Sequence, residues 1–108
     1  MLPKKNRISK KDVDFLFKNG KFVRVGDLSL RFFLDKTRFP PKVAFIAPKT
    51  ITKKATLRNL LKRRARAVAR KYVDSLPHGF SGVFLFRKYL DDSKIIENEI
   101  RKIISRIN

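Results

Sequence analysis

Residues 53–72 read KKATLRNLLKRRARAVARKY, a stretch that holds nine of the chain's 28 basic residues and no acid. Its large apolar residues recur at the spacing of one helix face: Leu57, Leu61, Val68 and Tyr72. This pattern predicts one helix. Thr56 is its predicted N-cap, because the hydroxyl can accept a free backbone N–H. Pro77 and Gly79 end the run.

The predicted helix has one cationic face. At about 100° per residue, the polar side chains of this face fall together. They are Arg58, Asn59, Lys62, Arg63, Arg66 and Arg70. Like charges four residues apart repel each other, so a cationic face without acids favours a polyanionic partner over a merely solvated surface. Arg64 and Lys71 fall among the apolar residues, and we expect them to reach out to solvent rather than bind a ligand.

The composition also indicates a polyanionic partner. A chain of 108 residues predicts one domain, residues 1–108, with a modest core. Its net charge of +19 is large for this size and destabilises the compact state through self-repulsion. Nucleic acid is the first candidate partner, and an anionic membrane surface is the second.

Several classes of protein are disfavoured by what the sequence lacks. There is no cysteine, so disulfides and thiolate metal sites are excluded. No apolar run approaches the length of a transmembrane span. The first residues, MLPKKNR, lack the apolar stretch of a signal peptide. We therefore expect a cytoplasmic location and no membrane association.

The first half of the chain predicts a helix followed by strands. After a basic arm, residues 1–8, Ser9 and Asp12 resemble a capping box for a helix from Lys10 to Asn19 that ends at Gly20. Gly26 and Asp27 separate two extended segments, residues 22–25 and 28–34. A loop, residues 35–41, precedes the apolar run 43–47, which is typical of a strand covered on both faces.

The second half predicts a strand and a final helix. Residues 82–86 form another fully apolar strand. Asp91, Asp92 and Ser93 cap a helix with an apolar stripe: Ile96, Ile100, Ile104 and Ile107. The strand–helix–strand from 43 to 86 indicates a crossover between parallel strands. The predicted fold class is therefore α+β, a sandwich of a sheet and helices.

Candidate catalytic groups are scarce. A two-metal nuclease needs clustered carboxylates, and the nine acids form no obvious cluster. Asp91 and Asp92 suit a helix cap. His78, the only histidine, has no identifiable group to orient it as a general base. The sequence thus predicts no catalytic residue and no protein metal site, and it favours a binder of nucleic acid.

The basic stretch resembles the signature of the bacterial ribonuclease P protein subunit. That family carries Ala-Val-x-Arg-Asn-x-x-Lys-Arg-x-x-Arg on a helix after an apolar strand. Here the matching residues are Arg58, Asn59, Lys62, Arg63 and Arg66. The resemblance continues through Phe17 and Gly20 at the first helix, Lys49 after a strand, and Arg87 after the last strand. Four positions depart from the family pattern: Val13, Thr56, Leu60 and Ala67.

The resemblance implies a two-layer α/β sandwich of order α-β-β-β-α-β-α, with a left-handed βαβ crossover. This fold class is similar to the second domain of ribosomal protein S5. The resemblance also implies a catalytic RNA as partner, which cleaves precursor tRNA at its mature 5′ end with Mg²⁺ held mainly by RNA. The implied residues that bind the catalytic RNA are Lys53, Lys54, Arg58, Asn59, Lys62, Arg63, Arg66 and Arg70. A cleft between the basic helix and the sheet would hold the 5′ leader, with Val13, Phe17 and Phe32 in it.

Two alternatives remain at the level of the sequence. A ribosomal or other structural RNA-binding protein would share this composition, but it gives no reason for the spacing of Arg58, Asn59, Lys62 and Arg63. A membrane-surface peptide needs a basic amphipathic helix with bulky apolar anchors, whereas two apolar strands here indicate a true core. For Phe32, a place in the ordinary core is nearly as good a prediction. No protein partner can be inferred.

Overall fold

The computed structural model describes residues 7–35 and 41–107. Its elements are α1 (Lys10–Asn19), β1 (Lys21–Val25), β2 (Leu28–Leu34), β3 (Lys42–Ile46), α2 (Ala55–Tyr72), β4 (Phe80–Phe86) and α3 (Ser93–Ile107). This order confirms the predicted α-β-β-β-α-β-α arrangement. Residues 1–6 of the predicted arm and 36–40 of the predicted loop lie outside the described residues.

The four strands form one sheet in the order β1-β2-β4-β3. β2 pairs antiparallel with both β1 and β4, while β3 and β4 are parallel. The chain leaves β3 through α2 and returns in β4, so the predicted crossover between parallel strands is confirmed. Gly26, with a φ of 57°, makes the tight turn from β1 to β2, a conformation that glycine adopts at little cost.

The main core lies between one face of the sheet and the two long helices. Leu28, Leu30 and Phe32 of β2 point to this face, as the alternation predicts, and their partners across β4 include Phe84 and Phe86. The helices contribute the opposing layer: Leu61, Ala65, Val68, Ala69, Ile96, Ile100, Ile103 and Ile104. α2 and α3 therefore lie side by side on this face and bury most of its apolar side chains.

α1 crosses the other face of the sheet. Leu16 is its one fully buried side chain, and Val83, which β4 directs to this second face, is also buried. The predicted start of α1 is confirmed, because the Ser9 hydroxyl accepts the Asp12 N–H at 3.3 Å. Its end at Gly20 is confirmed too. The φ of Gly20 is −75°, which any residue can adopt, so backbone conformation does not require a glycine here. Steric crowding does, because an added Cβ would lie 2.6 Å from the Leu16 carbonyl oxygen.

Two predictions about local structure are wrong. α2 begins without a side-chain cap, since Lys54 occupies the N-cap position and Thr56 lies within the first turn. The second concerns β3, which is half-buried rather than covered on both faces. β3 is an edge strand, and only Val43 and Phe45 point into the core. None of the helices in the described ranges is long and apolar enough to cross a membrane.

Candidate nucleic-acid interface

The first turn of α2 is attached to the segment that precedes it. Lys54 supplies a backbone carbonyl that accepts the N–H groups of Leu57 and Arg58, at 3.1 and 3.2 Å. The Arg58 guanidinium donates to the carbonyl oxygen of Thr52 at 2.9 Å. Arg58 therefore fixes the entry into the helix while its remaining donors stay available, since a guanidinium carries five N–H groups.

The cationic face of α2 consists of two rows. Arg58, Lys62 and Arg66 are half-buried along one flank of the helix. The second row points outward and is exposed: Asn59, Arg63 and Arg70. Lys53 and Lys54 are exposed just before the helix begins. The eight predicted RNA-binding residues therefore lie on or beside one element, and no ion pair within the described residues neutralises its cationic face.

The opposite flank of α2 contacts α3. Arg64 donates to the backbone carbonyl of Asp91 at 3.0 Å, and the Lys71 ammonium lies 3.7 Å from the Glu97 carboxylate. Glu97 also accepts the hydroxyl of Tyr72. That hydrogen bond raises the pKa of Tyr72 and lowers the pKa of Glu97. Lys71 thus joins the two helices and Arg64 joins α2 to the segment before α3, which explains why they break the cationic pattern.

A second candidate surface lies on the sheet face that α1 crosses. The Arg31 guanidinium carbon is 5.8 Å from the ring centroid of Phe17 and 5.1 Å from that of Phe22. Phe15 and Phe33 meet edge to face, with centroids 5.5 Å apart. The four rings are each more than one-third exposed. We call these five residues the aromatic surface; it combines ring faces with a cation, which suits stacking on unpaired bases.

The predicted cleft residues do not lie together. Phe17 is in the aromatic surface, and Val13 is half-buried one helical turn before it. Phe32 is only 6 % exposed and stacks on Phe80 in the core, at 5.9 Å between centroids. The predicted position of the cleft also needs correction, because the space between α2 and the sheet is filled by that core. The open aromatic face is on the other side of the sheet.

Sequence reasoning missed Arg31, Phe15, Phe22 and Phe33 as candidate binding residues. A signal for Arg31 was present, since strict alternation in β2 places it opposite the buried Phe32. The pairing of Phe22 with Arg31 across the two strands could not be known before the register was known. The sequence also offered no way to place α1 over this face.

The described residues contain no group of three or more His, Cys, Asp or Glu side chains that could hold a metal ion. We assign no role to a protein-bound metal. What the site can do chemically is bind anions through its guanidinium and ammonium groups and stack on bases through its rings.

Comparisons with known proteins agree with this geometry. The Ribonuclease P family model matches residues 2–108. A ribonuclease P protein component from a Picosynechococcus species is 31 % identical over 87 residues, which cover 80 % of this chain and 74 % of the relative. The solved RNase P protein from Thermotoga maritima is 25 % identical, with a TM-score of 0.82 and coverage of 94 % and 97 %.

The fold is also shared with the RNase P protein of Staphylococcus aureus, at a TM-score of 0.80, 18 % identity and coverage of 95 % of both chains. The family match extends along the whole described chain, and the resemblance in the basic stretch is confirmed by it. The chain therefore belongs to the ribonuclease P protein family and is the protein subunit of an endoribonuclease that matures the 5′ ends of tRNA.

Proposed function

We propose that the cationic face of α2 docks on the catalytic RNA of ribonuclease P. The observation that carries this proposal is the acid-free double row along α2, which places an amide, Asn59, among five cations. Guanidinium and ammonium groups bind phosphate oxygens, whereas an amide can also bond to a base edge or a ribose hydroxyl. The eight residues named above form this docking surface, with Lys53 and Lys54 at its start.

The 5′ leader of precursor tRNA is the proposed ligand of the aromatic surface. Single strands are held by rings on which bases stack together with nearby cations, and Phe17, Phe22 and Arg31 supply this combination. Val13 adds an apolar contact one turn away. Phe32 is not part of the proposed site, because its ring is enclosed by the core.

In the proposed mechanism, the catalytic RNA carries out the cleavage step. Mg²⁺ would then be held mainly by the catalytic RNA and the substrate. The protein, acting as one domain over residues 1–108, would position the leader and neutralise RNA phosphates. The proposed location is the cytoplasm, which the cysteine-free sequence also favours.

The docking surface can be tested with single alanine variants in the reconstituted holoenzyme. Asn59→Ala, Lys62→Ala and Arg63→Ala should weaken binding to the catalytic RNA without changing the melting temperature. Each lost phosphate contact should also lower the slope of log affinity against log salt by about 0.7 to 0.9. Arg58→Ala should show both a loss of affinity and a lower melting temperature, because Arg58 also holds Thr52.

Lys71→Ala is the matched control, since it removes one charge from the same helix on the flank that faces α3. We expect it to change the affinity for the catalytic RNA less than Lys62→Ala does. Equal losses for the two variants would mean that net charge, and not this face of α2, governs binding.

A further inference from the structure

The last helix, α3, has an apolar side and a cationic side. At about 100° per residue, the isoleucines that fill the core lie on one side of α3. Glu97 and Glu99 fall on the two borders of that side. The opposite side, which we call the outer face, is exposed and carries four cations: Lys94, Arg101, Lys102 and Arg106.

The two border acids are engaged with neighbouring elements. Glu97 contacts Lys71 and Tyr72 of α2. Glu99 accepts the backbone N–H of Asp27 at 3.2 Å and supports the turn between β1 and β2. Their carboxylates therefore hold α3 against the rest of the fold. Arg101 lies near Glu97 and Lys102 lies near Glu99, but the outer face itself carries no acid.

The outer face contains an open depression of about 340 Å³. Its lining residues, all exposed, are Asn98, Arg101, Lys102, Ser105 and Arg106. Two guanidinium groups are held in place there: Arg101 donates to the Asn98 side chain at 3.2 Å, and Arg106 donates to the Arg24 carbonyl at 3.1 Å. Within the described chain, neither an acid nor an aromatic ring lines the depression.

We propose that the outer face of α3 is a second docking surface, for the sugar-phosphate backbone of the same catalytic RNA that α2 binds. The proposal rests on the function proposed above. Fixed guanidinium groups, an ammonium, an amide and a hydroxyl match phosphate oxygens and ribose hydroxyls. Without an aromatic ring in the lining, the surface suits the backbone of structured RNA better than unstacked bases.

Its place in the fold favours the catalytic RNA over the leader. α3 lies beside α2 and is joined to it by the contacts of Glu97 with Lys71 and Tyr72. An RNA that binds the outward row of α2, which is Asn59, Arg63 and Arg70, can therefore reach across the top of α2 to α3. The aromatic surface, in contrast, is on the other side of the sheet, and a leader bound there would be separated from α3 by the core.

The test compares two double variants that each remove two exposed charges. Arg101→Ala/Lys102→Ala alters the depression, whereas Lys10→Ala/Lys11→Ala alters the start of α1, outside the three proposed surfaces. Affinity for the catalytic RNA alone is measured over a series of salt concentrations. For the α3 variant we expect an affinity about tenfold lower at low salt and a salt slope lower by about 1.4 to 1.8, against little change for the control.

Three results would overturn the proposal. One is an equal loss for the two double variants, and another is no loss for either. The third is a loss that appears only when precursor tRNA is bound to the holoenzyme, which would assign the surface to the substrate. Lys62→Ala in the same assay separates the two proposals, because it reports on α2 alone. Unchanged melting temperatures for both double variants exclude unfolding as the cause.

Discussion

Arg31 and Phe32 are neighbours in β2, yet they belong to different parts of the molecule. The period of two along a strand sends Arg31 to the aromatic surface and Phe32 into the core. The alternation of Leu28, Leu30 and Phe32 was visible in the sequence and predicted one shared face. The sequence favoured this face as the buried one, and Phe33, the one ring among the polar residues of the other face, gave no sign that it belongs to an exposed aromatic surface.

Phe17→Ala and Phe32→Ala should therefore differ in what they impair. Phe32→Ala empties a place in the core and should lower the free energy of unfolding by about 3 to 5 kcal/mol. Phe17 is 38 % exposed, so Phe17→Ala should change the melting temperature little. It should weaken holoenzyme binding of precursor tRNA by about 1 to 3 kcal/mol, the value of one lost base stack.

The measurement is thermal melting of both variants, together with holoenzyme affinity for tRNA with and without a leader. Mature tRNA serves as the control, because Phe17→Ala should leave its affinity unchanged. If Phe17→Ala weakens both RNAs equally and lowers the melting temperature strongly, its ring supports the fold instead of the leader.

For the helices, the sequence predicted their positions better than their N-caps and their contacts with other elements. The spacing of apolar residues located α1, α2 and α3, and the cap of α3 is confirmed, because the Asp92 carboxylate accepts the Lys94 N–H at 2.9 Å. The missing cap of α2 was not foreseen, since Thr56 satisfies the composition of an N-cap but the helix begins before it. Contacts between helices, such as Lys71 to Glu97, depend on packing that no local pattern encodes.

Two acids on α3 should have opposite effects on stability as pH changes. Burial raises the pKa of Glu99, and the Tyr72 hydroxyl lowers the pKa of Glu97, each from an ordinary value of 4.5. The folded state holds the Glu99 proton more tightly than the unfolded chain does. Stability therefore falls as pH rises from 4.5 through the raised pKa of Glu99. The stability from Glu97 is present above 4.5 and is lost as pH falls through its lowered pKa.

Glu99→Gln and Glu97→Gln form a matched pair to measure this. The melting temperature of Glu99→Gln, relative to the parent, should rise as the pH increases above about 4.5. The melting temperature of Glu97→Gln, relative to the parent, should fall as the pH increases towards 4.5. Parallel curves for the two variants would show that their surroundings do not differ in the folded protein.

At the scale of the whole molecule, the net charge lowers the stability of the fold. A net charge of +19 destabilises the compact state, while RNA phosphates would stabilise it. The excess of charge follows directly from the composition, and the sequence also predicted the parallel crossover through α2. It could not predict that β3 is an edge strand and β4 a central one, because both segments are apolar and only the pairing distinguishes them.

Salt should therefore change folding and RNA binding in opposite directions. The melting temperature of the free protein should rise with salt, because a Debye length of about 10 Å at 0.1 M screens its self-repulsion. Affinity for the catalytic RNA should fall over the same range. Sodium chloride and choline chloride at equal ionic strength should agree if screening is the cause. A melting temperature that does not change with salt would contradict the expected self-repulsion.

The central position of β4 has a consequence for synthesis on the ribosome. β4 pairs with both β2 and β3, yet it follows them in the chain by an entire helix. While the polypeptide emerges at roughly 5 to 20 residues per second, the hairpin of β1 and β2 and the later β3 have no strand to join them. Until Phe80–Phe86 leaves the exit tunnel, the unpaired edges and apolar faces of β1, β2 and β3 are exposed, so they can aggregate or bind a chaperone.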